Sequence, residues 1–148
     1  MYIMAEAVDT KMQDFGKLIR DMVVDLTNTF PELIESLDND LRTIKEEHPN
    51  VPNDCLVRVR EYCQGVLPPH FFDVLYQNAD IFAEGSQANT VFLPGIDFRV
   101  LWAENITDRT RETIWKYLQL ATLSVATGLT DQHSFGDTAK LFEAIGED

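Results

Sequence analysis

FLPGIDFRVLWAENITDRTRETIWKYLQLATLSVATGL, residues 92–129, decides the architecture. A Pro94-Gly95 corner leads into a short aromatic turn around Phe98, Leu101 and Trp102. Thr107 or Asp108 then caps a helix that loses its charges as it proceeds. From Tyr117 to Thr130 there is no Asp, Glu, Lys, Arg or His. A surface helix keeps a polar face, so this one belongs in a core. The rest of the chain is expected to wrap around it.

Upstream, apolar residues recur at Met12, Phe15, Ile19, Met22/Val23, Leu26 and Phe30, in helical steps of three and four. Residues 1–9 are expected to form a flexible lead-in, and residues 10–148 one domain. Pro31 suits the first turn of a second helix, with Leu33/Ile34, Leu37, Leu41 and Ile44 inward and Asp38 on its outer face. Pro49 and Pro52 end it. Asp54 is expected to cap a third helix, with Leu56, Val59, Tyr62/Cys63 and Val66 inward. Pro69 opens a short fourth helix through Phe71, Phe72, Leu75 and Tyr76. GSQANT (85–90) is the clearest loop, and Val91–Ile96 has room for extended chain. Arg109–Glu112 and Glu112–Lys116 are spaced for surface ion pairs. Gly128 suits a C-cap, and Asp137 a cap for a last helix through Leu141, Phe142 and Ile145. The expected fold class is all-α: a single-domain bundle of about six or seven helices around a central apolar helix at about 108–127.

The 148 residues suit one domain, and the net charge of −13 comes from 25 acids against 12 bases. Such a chain repels phosphates and anionic lipid, so direct nucleic-acid binding is disfavoured. Cys55 and Cys63, if on one helix, stand about 12 Å apart along its axis. That is beyond disulfide reach, so two free thiols are expected, which fits a reducing compartment. Met1–Thr10 lacks the basic start and apolar run of a signal peptide. No apolar run is long enough to span a bilayer.

Chemistry-bearing patterns are sparse. Cys55, Cys63, His70 and His48 lack the close pairing of zinc ligands. Asp131, His133 and Ser134 are adjacent in sequence, whereas triad members converge from separate elements. Asp97 and Glu104 flank the aromatic turn and are the carboxylates to examine for acid–base work; helix capping is the simpler role for Asp97. No phosphate-binding glycine motif occurs. No catalytic, cofactor-binding or metal-binding residues are therefore expected. Aromatic residues dominate interaction hot spots. The candidate partner face is Phe71, Phe72, Phe92, Leu93 and Trp102, around the 91–96 segment. Adjacent Phe71 and Phe72 cannot point the same way on one helix. The acidic surface offers a second reading, as a binder or decoy for a basic, histone-like or nucleic-acid-binding partner.

HFFDVLYQNADIF (70–82), FLPGIDFRVLW…NITDRTRETIWKYLQL (92–120) and FGDTAKLFEAIGED (135–148) resemble a helical protein family of nucleocytoplasmic large DNA viruses, phycodnavirus- or mimivirus-like. The family offers no catalytic residues to carry over. In its members a further helical region follows the counterpart of 135–148, so three readings of this chain stay open: an N-terminal domain of a longer protein, a trimmed form or a shorter paralogue. The resemblance implies a viral protein in the host cytoplasm or nucleus, and the virion is a further location. The function expected is a non-enzymatic interaction or scaffold domain with a viral or host protein partner, or with a second copy of itself.

Overall fold

The computed structural model describes residues 2–127. The chain order is α1 (Tyr2–Thr29), α2 (Asn39–Glu47), α3 (Asn53–Val66), α4 (Phe71–Leu75), α5 (Phe98–Ala103) and α6 (Asp108–Thr127). Short 3-10 turns lie at Pro31–Leu33, Pro68–His70 and Ala79–Phe82. No strand occurs among the described residues, and the 91–96 segment holds a single bridge, Leu93 to Ile96. The fold is all-α and forms one domain. Gly128, the expected last helix with Asp137, Leu141, Phe142 and Ile145, and the Asp131–His133–Ser134 group lie outside the described residues.

The α1 stripe is inward as its spacing predicts: Met12, Phe15, Ile19, Met22, Val23 and Leu26 are all buried, and Phe30 just beyond joins them. The helix begins at Tyr2, so residues 2–9 lie within the bounds of α1. It stops at Thr29 because Pro31 follows, and the residue before a proline is pushed out of helical conformation. Phe30 accordingly sits at φ −126°, ψ 76°. Gly16 marks a close crossing. A Cβ there would come within 3.0 Å of a Leu56 methyl and 3.2 Å of the His48 ring.

The second predicted helix is shortened. Pro31–Leu33 makes only a 3-10 turn, and α2 begins at Asn39. Asp38, expected on an outer helical face, is the N-cap instead. Its carboxylate accepts from the amides of Asp40 (2.9 Å) and Leu41 (3.2 Å). A side chain that satisfies two otherwise unpaired amides starts a helix better than it continues one. Leu37, Leu41 and Ile44 are still buried, while Ile34 is exposed. The cap of α3 also moves: Pro52 holds that place and Asp54 lies in the first turn.

Helix α6 packs against α1, α3 and α4, the central position expected of a helix without charges from Tyr117 onward. Ile114, Trp115, Leu118, Ala121, Thr122, Leu123 and Val125 are buried along it. Thr107 caps it by accepting from the Thr110 amide at 3.1 Å. The ion pair on its first turn joins Arg111 to Asp108 at 3.5 Å, in place of the expected Arg109–Glu112 pair. The Tyr117 hydroxyl donates to the Asp25 carboxylate and stitches α6 to α1. Gly95 supplies the positive φ (76°) for its corner, closed by the Ile96 amide on Leu93 O at 3.0 Å. Asp97 caps α5 through the Arg99 amide, and the Arg99 guanidinium reaches Ala88 O (2.7 Å) and Ile81 O (3.3 Å).

Two predictions concern this core. The Thr122 hydroxyl is fully buried with no hydrogen-bond partner among the described residues. Thr122→Val removes a desolvated polar group and should stabilise the fold by about 1 kcal/mol, read as a raised urea midpoint. Asp40 accepts from both Nε (2.8 Å) and Nη2 (2.9 Å) of Arg58, which holds its carboxyl below the ordinary range. A depressed folded pKa stabilises above the unfolded value of about 3.9, and that contribution disappears as pH falls through the folded one. Asp40→Asn should therefore be less stable than the parent at neutral pH, with the gap closing in acid.

Candidate functional site

The candidate partner face does not assemble as expected. Phe92 and Leu93 are each only 1% exposed and belong to the core. Phe92 is buried because three rings surround it: His70 at 5.8 Å, Phe98 at 5.7 Å and Phe82 at 6.3 Å between centroids. Trp102 is half-buried. It stacks on Phe82 at 4.8 Å, meets Trp115 at 5.3 Å, and has the Arg111 guanidinium 5.4 Å from its ring centre. Phe71 is half-buried. Of the five residues, only Phe72 is fully open, at 66% exposure.

Its companion is Tyr76, at 63% exposure. The two residues stand four apart, on one side of a helical turn. Their rings lie nearly parallel, 11° apart, with centroids at 6.2 Å. Phe71 meets Phe72 edge-on at 5.3 Å. The result is a small apolar ledge on the outer side of α4.

Several contacts hold the ledge in place. Tyr76 is the C-cap of α4. The next residue, Gln77, takes φ 54°, and the chain folds back. The Asn78 amide donates to Asp73 O at 2.7 Å, and the Gln77 amide to Val74 O at 3.2 Å. These are the two bonds of a Schellman cap. The Asn78 side chain also donates to Asp73, whose other oxygen faces His70 Nδ1 at 3.1 Å. Asn78, then His70, hold the Asp73 carboxyl below its usual range. From α6, the Gln119 amide nitrogen donates to Val74 O (3.3 Å) and Leu75 O (3.2 Å). Val74 O already accepts from the Gln77 amide, whereas Leu75 O is a last-turn carbonyl that the helix itself leaves without a donor.

The charge of the sequence segment that carries this ledge is one-sided. Between Arg60 and Arg99 the chain has no Lys or Arg, and it carries Glu61, Asp73, Asp80, Glu84 and Asp97. Asp80 and Glu84 are exposed. This gap in positive charge was readable in the sequence.

The other candidates disperse. Asp97 and Glu104 sit at the N-cap and C-cap of α5, about 10 Å of helix apart. Asp97 accepts from Thr90 Oγ1 at 2.6 Å as well as from the Arg99 amide. Glu104 stands beside Glu32, and desolvation followed by that like charge raises its pKa. Burial, then Asp40, pushes the Cys55 thiol up to about 11, and burial pushes Cys63 up to about 12. Cys55 donates to Asp40 O, and Cys63 lies against Phe92 O. His48 faces Gln13 O, well away from His70 on Phe92. No cluster of three metal-ligating side chains occurs among the described residues. A groove of about 290 Å³ runs between α1 and α6, lined by both apolar and polar side chains, among them Leu26, Phe30, Ile114, Asp25, Thr110 and Tyr117.

Gln77 is a non-glycine residue in the left-handed region, which costs about 1 kcal/mol. Gln77→Gly should raise the thermal midpoint while leaving the Phe72–Tyr76 pair in register, as seen in ring-proton NMR contacts. Compared with family models, curated proteins and solved structures, the chain finds no match.

Proposed function

We propose that the chain is a non-enzymatic interaction or scaffold domain of a large DNA virus, and that it engages a protein partner through the Phe72–Tyr76 ledge. One observation carries the reading: two large rings lie stacked and exposed on a helix end fixed by a Schellman cap and by Gln119. Exposed rings that are already ordered lose little freedom on binding, which is what a protein anchor requires. The viral setting, with action in the host cytoplasm or nucleus, rests on the resemblance of segments 70–82, 92–120 and 135–148. None of the described helices is long and apolar enough to cross a membrane.

The test is affinity capture of the tagged full chain from infected cells, beside the double variant Phe72→Ser/Tyr76→Ser. Both sites are exposed, so folding should be unaffected, and circular dichroism checks this. Partners held by the parent should be lost from the variant, with affinity reduced about thirtyfold or more. An identical set of captured proteins from both chains would sink the reading.

A further inference from the structure

The chemistry of the partner can be taken further, on the basis of the interaction reading above. The ledge is apolar, and the helix end that carries it holds acids: Asp73 in α4, and Asp80, whose amide donates to the same Asn78 side chain that holds Asp73. Asp73 is held within α4 by His70 and Asn78, while Asp80 and Glu84 follow in the same cation-free segment. Asp80 and Glu84 form no ion pair among the described residues. Of the elements packed on α4, the 3-10 turn before it contributes His70, already facing Asp73. Helix α6 contributes one cation near the contact, Lys116, a turn before Gln119. The Arg99 guanidinium also reaches this stretch, on Ile81 O at 3.3 Å, so three carboxylates stand against two cations and the balance stays negative.

We infer that the ledge receives an arginine-bearing segment of a partner protein, with guanidinium planes against Phe72 and Tyr76 and ion pairs to Asp80 and Glu84. Arginine fits better than lysine because its flat, weakly hydrated cation stacks on aromatic faces. The fold itself contains such a contact, Arg111 over Trp102 at 5.4 Å. A second copy of this chain is a poor occupant: each copy carries a net charge of −13. Nucleic acid and anionic lipid meet the same repulsion.

The test is fluorescence anisotropy with the full chain and three labelled peptides: arginine–alanine, lysine–alanine and glutamate–alanine repeats, at low and high salt. The arginine peptide should bind about tenfold more tightly than the lysine peptide, and the glutamate peptide should not bind. Phe72→Ser/Tyr76→Ser should abolish the preference for arginine. Asp80→Asn/Glu84→Gln should weaken both cationic peptides and flatten their salt dependence. No binding, or equal binding of arginine and lysine that ignores the two rings, overturns the inference. So does ring-dependent self-association in sedimentation velocity, which would make a second copy the occupant. A captured partner that needs Phe72 and Tyr76 but contacts them without arginine overturns the inference and leaves the interaction reading standing. Captured partners indifferent to both rings remove the two together.

Discussion

The burial of one ring, Phe92, organises the half of the molecule that carries the ledge. Its edges and faces meet His70, Phe82 and Phe98, while its carbonyl lies against the Cys63 thiol of α3. Four stretches of chain between residues 63 and 98 are thereby brought to one point. Phe82 passes the contact on to Trp102 and Trp115, and so to α6. Aromatic pairs contribute about 1 kcal/mol each beyond the area they bury, so this cluster ties short helices that have little stability alone. The position of α4 follows, because His70 is both a wall of the Phe92 pocket and the N-cap of that helix.

The long periodic elements were legible because their patterns are strong. In α1 the buried residues are those that the steps of three and four select, and in α6 the missing charges announce a central helix. Failures occur where two local signals compete. At 33–44 an apolar stripe continues through Asp38, and periodicity favours one helix. The capping chemistry of Asp38 prevails, since its carboxylate satisfies two amides at once. A stripe reports which residues face inward, and it is blind to an interruption that keeps them inward.

The site was only partly legible. Counting aromatics located Phe72 but could not separate it from Phe92 or Leu93, whose burial depends on partners many residues away. Tyr76 joins Phe72 through helical spacing alone and was available from sequence. The cap that fixes it was not, because the left-handed residue is Gln77, where the expected signal is glycine. Gln119 is equally silent: an uncharged amide in an apolar run reads as a neutral core residue until α4 is seen to end against it.

The Arg99 contact has a consequence for how the chain withstands proteases. Residues 85–90, small and polar, look like the natural place for cleavage. Yet the guanidinium of Arg99 grips Ala88 O and Ile81 O, and Thr90 is buried with its hydroxyl on Asp97. A peptidase must draw a stretch of backbone into its own cleft, and here those bonds would have to break first. The 85–90 loop is thus shielded by Arg99 of α5 and by Asp97 at its cap, and the stability of that short helix sets how often the loop opens to attack.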